Sequence, residues 1–261
     1  MKLVSRWSMP ARGLSFRGGR ELLAAGLVAS LMAIMAPPAQ AATVVALWHM
    51  DEAENGAETM RDCAPAEGAN DGTTSNVTAG AAGDPSVNDT GCDDAPDETD
   101  GGNHGYFFDG TAPESTVTVP DAASLNPGSA NISFTAHVNF VTHPVATSDY
   151  GVMRKGPGNT QHYKMELKPN STRTRTRARC SFRGSSGRTT ITKGPNLING
   201  WHTITCFKTS SQIGVTVDGN TFTKSIRIGS ITNSSPVTIG RNEDGDDQYH
   251  GNMDELSISI G

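Results

Sequence analysis

From Ile132 to Phe140 the chain alternates strictly. Ile132, Phe134, Ala136, Val138 and Phe140 are apolar, and Ser133, Thr135, His137 and Asn139 between them are polar. A period of two puts each set on its own face of a strand, so this segment predicts a half-buried β-strand. Ten further short runs between residues 105 and 260 repeat the theme with less regularity, among them "STVTVP" (115–120), "HYKMELK" (162–168), "WHTITCFKT" (201–209) and "GNMDELSISI" (251–260). Clusters of Gly, Pro, Asn and Asp separate them. "VDGNTF" sets Asp218-Gly219 or Gly219-Asn220 at a hairpin turn, since these residues tolerate positive φ. Beyond the first 41 residues no segment carries a sustained i, i+3, i+4 apolar pattern. The fold class expected is all-β, a two-sheet antiparallel β-sandwich of the jelly-roll kind.

Two regions depart from that rhythm. Residues 1–41 carry five bases, then the apolar run "LLAAGLVASLMAIM" (22–35), then Ala39-x-Ala41. This is the order of a secretory signal peptide, and the run is shorter than the ~20 residues of a spanning helix. Secretion is expected, with a mature domain over 42–261 and no membrane span after cleavage. The second region follows "TVVALWHM" (43–50), where 50-odd residues rich in Gly, Asp, Asn, Ala and Thr read as a long loop. A loop of that length in a compact domain needs something to tie it down.

The cysteines supply a tie. Cys63, Cys92, Cys180 and Cys206 make an even count in an exported chain, and three pairings are open. The pairing Cys63–Cys92 with Cys180–Cys206 is favoured, because the first bridge closes the long loop. No two cysteines have zinc-knuckle spacing.

Charge changes the functional picture. Removing the leader leaves 16 Lys+Arg against 26 Asp+Glu, which argues against nucleic acid as a partner. The distribution is uneven: residues 51–109 hold 15 acids and one base, and residues 154–193 hold 11 bases and one acid. Within the basic block, "TRTRTRARC" (172–180) alternates Arg173, Arg175, Arg177 and Arg179 with threonine and alanine. If Cys180 points inward, the four arginines point outward. They are then either a solvated strand face or a stripe that reads sulfate, phosphate or carboxylate groups.

The ordered fragments "LWHMDE", "GYFFDG", "VTVPDAASLNPGSANISFTAHVNF", "LINGWHTITCFKT", "VTVDG", "VTIGRNED" and "GNMDELSIS" resemble the laminin G-like, or concanavalin A-like, jelly-roll domains over about residues 43–260. The resemblance implies one such domain through the mature chain. The fold also carries sugar-binding, protein-binding and enzymatic members. Glucan-cleaving members carry a Glu-x-Asp-x-x-Glu strand with carboxylates spaced for retaining hydrolysis; this chain has none, nor a Gly-x-Ser-x-Gly or His-Glu-x-x-His motif. The resemblance further implies a structural calcium held near the first strand and by an Asp of the last, for which Asp51, Asp109 and Asp254 are the candidates. The competing role for these aspartates is capping of turns and strand ends.

The expectation is therefore a secreted, non-catalytic module whose partner is a glycan or a cell-surface protein. Two rivals stand beside it: an atypical glycoside hydrolase, and an adhesive structural domain.

Overall fold

A computed structural model describes residues 41–52, 57–65, 70–87, 92, 103–111, 114–145, 148–172, 174–242 and 244–261. The leader, Ala41 apart, lies outside them. Sixteen strands follow in chain order: β1 Thr43–Trp48, β2 Thr59–Met60, β3 Gly72–Ser75, β4 Val77–Ala82, β5 His104–Phe108, β6 Thr116–Val119, β7 Ile132–Phe140 and β8 Tyr150–Lys155. The second half adds β9 His162–Pro169, β10 Thr176–Gly184, β11 Gly187–Thr192, β12 His202–Lys208, β13 Gln212–Val217, β14 Asn220–Ser225, β15 Val237–Ile239 and β16 Gly251–Ile260. One short 3-10 turn, Ala123–Leu125, is the helical element among the described residues.

The strands form two antiparallel sheets of eight, as the alternation requires. The first runs β14-β13-β12-β7-β16-β5-β4, with β1 also on β16; the second runs β11-β10-β9-β8-β15-β6-β3-β2. The apolar set of β7 is buried while its polar set is half-buried on the outer face. Between the sheets, the Phe134 ring of β7 meets Tyr163 of β9 and Phe182 of β10 at centroid distances of 5.2 and 5.9 Å. Trp48 is fully buried, its indole N–H donating to the Asn70 carbonyl at 2.9 Å.

Both disulfides form as favoured. Cys63 bonds Cys92, and Cys180 bonds Cys206 with their Cα atoms 5.6 Å apart. Cys180 lies on β10 and Cys206 on β12, so this bridge crosses the core and joins the two sheets. Parity along β10 follows: Thr176, Ala178 and Cys180 are buried, Arg177 is exposed and Arg179 half-buried.

Two local readings are corrected. The long loop after β1 contains three strands, β2, β3 and β4, the last two formed where "GTTS" and "VTAGAA" carry Thr and Val among their small residues. Asn76, at a φ of 51°, makes the step between them. "RGSSGR" (183–188) makes the turn from β10 into β11, with Gly184 opposite Gly187. Finally, β10 begins at Thr176, not Thr172. The Asn170 side chain accepts the N–H groups of Thr174 (3.0 Å) and Arg175 (3.2 Å), holding the first residues of the arginine run in a turn. The hairpin between β13 and β14 turns at Asp218-Gly219, with φ of 48° and 79°.

Candidate ligand-binding groove

The arginine run divides into parts with different surroundings. Arg173 lies outside the described residues. Arg175, in the turn, and Arg177, first of the outward arginines on β10, are exposed. The Arg177 Nε donates to the Asn196 side-chain oxygen at 3.2 Å. Arg179 is pinned between acids: its Nη1 is 3.1 Å from Asp149 and its Nε 3.5 Å from Glu166. That pairing removes Arg179 from the set of open cations.

Arg175 and Arg177 line a groove of about 480 Å³ at the end of β9 and β10. Lys168 adds a third cation, Asn170 and Asn196 add amides, and three threonines add hydroxyls. None of the described lining residues is acidic. Register explains the gathering, since Arg177 sits opposite Lys168 on the same outer face. Lys168 is itself paired with Asp149 at 3.0 Å and remains 45% exposed. Such a groove offers forked and point-charge donors to an anion, with neutral groups suited to hydroxyls.

The same face of β8–β10 continues inward as a row that the sequence reading left unremarked. Lys164 pairs with Glu166. His162 and Ser181 are fully buried and lie 3.2 Å apart through the imidazole Nε2. Burial above all pushes the His162 imidazole down to about 4; the Thr160 carbonyl, the next largest influence, pulls it up, and the cations Lys164, Arg188 and Arg154 each add a smaller downward push. Period-two alternation in "HYKMELK" was the available signal for this row. Its carboxylates, Glu166 and the adjoining Asp149, are both held in ion pairs with bases.

The three aspartates nominated for calcium do not gather into one set. The Asp109 Oδ1 accepts the N–H and hydroxyl of Thr111 at 2.9 and 2.7 Å, the arrangement of a turn cap. Asp51 and Asp254 reach one corner of the first sheet. Asp51 accepts the His104 N–H at 3.0 Å, and Asp254 accepts the Asp84 N–H at 2.7 Å. Asn103 links the two by donating to the Asp84 carbonyl at 2.8 Å. The side-chain oxygen of Asn103 is buried there without a hydrogen-bond partner. Among the described residues no group of three or more His, Cys, Asp or Glu side chains converges as a metal set. A cation at this corner would be held by carboxylates with amide and backbone oxygens, a donor set that suits calcium. Nearby, the His137 Nδ1 lies 2.9 Å from Asp84. Burial alone would raise the Asp84 carboxyl, but hydrogen bonds from the Ser86 N–H and hydroxyl and from His137, with the charge of His137, outweigh it and lower the pKa.

A family model for laminin G domains, described as the concanavalin A-like lectin/glucanases superfamily, matches residues 109–259. No curated protein matches the sequence. Domain 4 of AbnA, an extracellular arabinanase from Geobacillus stearothermophilus solved in complex with arabinotriose, aligns at 14% identity and a TM-score of 0.52, over 85% of this chain and 94% of that one. The binding domain of botulinum neurotoxin DC, solved in complex with rat synaptotagmin II, aligns at 10% identity and a TM-score of 0.53, over 84% and 48%. Mouse laminin alpha1 chain domains LG4-5 align at 16% identity and a TM-score of 0.43, over 59% of this chain; the match spans 40% of that chain's length. At these identities the likeness is one of fold.

Proposed function

The chain belongs to the concanavalin A-like lectin/glucanases superfamily, and from that premise we propose that it is a secreted, non-catalytic binding module for an anionic carbohydrate or cell-surface ligand. One observation carries the reading: Lys168, Arg175 and Arg177 converge on a groove whose described lining holds no acid, although the sequence as a whole has an excess of acids. Lys168 is partly balanced by Asp149, but no ion pair of Arg175 or Arg177 occurs among the described residues, and exposed guanidinium groups gathered this way suit an anion. The arabinotriose complex of a structurally similar domain supports a sugar as the class of ligand on this fold. The leader and the two disulfides support export. Calcium belongs to the proposal as a structural ion at the Asp51 and Asp254 corner, supported by the burial of both carboxylates and by the unpartnered Asn103 oxygen.

The test is a glycan array on the purified protein and its Arg175→Ala/Arg177→Ala variant, with and without calcium. Selective binding of sulfated or carboxylated glycans that the variant loses is the expected result. Silence across neutral and acidic glycans would overturn the reading.

A protein partner is favoured by a different feature. Ile198 is 69% exposed two residues beyond Asn196, and Asn199 beside it donates to the carbonyl of Val141, which is 48% exposed. Exposed apolar residues of this kind, in the chain just beyond a groove-lining residue, suit a polypeptide surface. Capture of a cell-surface protein that Ile198→Ser abolishes, with no glycan bound, would establish that alternative.

A further inference from the structure

A second open pocket adjoins the groove. It measures about 370 Å³ and is lined by Thr190, Ile191, Thr192, Lys193, Thr223 and Lys224. Thr192 also lines the groove that Arg175 and Arg177 share, so one exposed residue borders both cavities. None of the described residues around either cavity is acidic. No ion pair of Lys193 or Lys224 occurs among the described residues.

Topology accounts for the pocket. β11 ends one sheet and β14 ends the other, so the pocket lies between two edge strands at the open side of the sandwich. Lys224 is the register partner of Ile213, and Phe222 that of Val215. Paired residues share a face of the sheet, and Ile213 and Val215 are buried, so Lys224 leaves β14 on the side of the other sheet. On β11 Ile191 is buried and Thr192 exposed, and Lys193 follows the strand directly. Thr192 sits opposite Arg179, which puts Arg177 on the diagonal and Lys193 roughly 10 Å from it along the edge. Lysine on an edge strand also discourages pairing with another chain. That role does not call for a pocket continuing from a cationic groove.

We infer that this pocket is a second anion subsite, and that the ligand is a linear acidic glycan passing over Thr192. One charged unit occupies the groove at Arg175 and Arg177, and a further charged unit lies between Lys193 and Lys224. The inference rests on the anionic-groove reading above and adds a second contact and a minimum length to it. Because the two sets of cations line separate cavities, a single sulfate or carboxylate does not complete both. Thr190, Thr192 and Thr223 offer hydroxyls to the neutral positions of the sugar. Arg175, Arg177, Thr192, Lys193, Thr223 and Lys224 are all exposed, so nothing has to open for the ligand to lie there.

Calorimetric titration with size-defined oligogalacturonates, size-matched sulfated oligosaccharides and oligoglutamates, from the dimer upward, tests the subsite. Lys193→Gln/Lys224→Gln exchanges two exposed side chains and should leave the melting temperature in place. In that variant the longest acidic sugar should bind about five- to tenfold more weakly, while the shortest oligomer that binds is unaffected. Arg175→Ala/Arg177→Ala should weaken every length. A longest oligomer that binds the lysine variant as tightly as the unmodified protein overturns the second subsite and leaves the groove standing. An equal loss at every length overturns it too, since the lysines then act only as a diffuse field. Length-dependent binding of oligoglutamate, with neither sugar series bound, overturns the glycan in favour of an acidic peptide. No binding by any series at any length removes the groove reading as well.

Discussion

Cys180 and Cys206 sit on opposite sheets and are bonded through the fully buried core, beside the ring of Phe134 that packs on Phe182. Phe134 is the register partner of Cys206, and Phe182 lies two residues beyond Cys180. The bridge and the aromatic cluster therefore clamp the sheets at one level. The same bond sets the parity of β10, which turns its arginines outward.

The bridge closes a sequence separation of 26 residues, for which the chain-entropy model gives a stabilisation of about 3.5 kcal/mol. A Cys180→Ala/Cys206→Ala variant should lose about that amount in denaturant unfolding, plus a smaller packing loss. A loss below about 1 kcal/mol would show that the core alone holds the sheets in place.

Arg177 and Arg179 should behave differently, although they are adjacent on one face. Arg177→Ala removes an exposed side chain and should change stability by no more than about 0.5 kcal/mol. Arg179→Ala takes a partner from Glu166, which is 3% exposed, and from Asp149. It should cost about 2 kcal/mol, less than a fully buried pair because Lys164 and Lys168 remain. Paired thermal melts decide the matter, and equal effects would contradict the division of the run.

Acid should weaken the fold in two stages. His162 is held neutral down to about 4, against an ordinary value near 6.5. Between those values the unfolded chain binds a proton that the folded chain does not, so stability is complete above pH 6.5 and falls as the pH is lowered toward 4, by up to about 3 kcal/mol. Asp84, with its pKa lowered, contributes stability present above the ordinary aspartate range and lost as the pH falls through its folded value. His162→Gln should flatten the pH dependence between 6.5 and 4 and leave the steeper loss at lower pH. An unchanged slope in the upper window would exclude His162 as its source.

Calcium should raise the melting temperature through the Asp51 and Asp254 corner. At a hundredfold excess over its dissociation constant the linkage is about 2.7 kcal/mol. Asp254→Asn should abolish the response and Asp109→Asn should retain it, because Asp109 serves the Thr111 turn. A melting temperature indifferent to calcium and chelator would leave Asp51 and Asp254 in a structural role, accepting hydrogen bonds such as those from the His104 and Asp84 N–H groups.

Much of the architecture was legible in the chain. Alternation in "ISFTAHVNF" marks β7 to within a residue at each end, since side-chain direction in a strand is a local property. The Asp218-Gly219 turn was readable for the same reason: positive φ is tolerated by few residue types. β3 and β4 were hidden because their Gly and Ala carry little strand propensity, and only pairing with β6 and β5 makes strands of them. The arginine run looked like one uniform strand, yet its first residues are captured by Asn170, a contact that pattern alone does not announce.

By itself, then, the sequence determined the β-sandwich, the alternation that buries one face of each strand, the excess of bases over 154–193 and the pool of four cysteines. These follow from neighbours in the chain. Tertiary structure alone decided that Cys180 reaches the opposite sheet, that Arg179 is neutralised while Arg175 and Arg177 stay open beside Lys168, that Asp51 and Asp254 share a corner without Asp109, and that Thr192 borders both the groove and the pocket between the sheet edges. Each depends on which strands lie side by side and in what register, and those distances are set by packing between residues far apart in sequence.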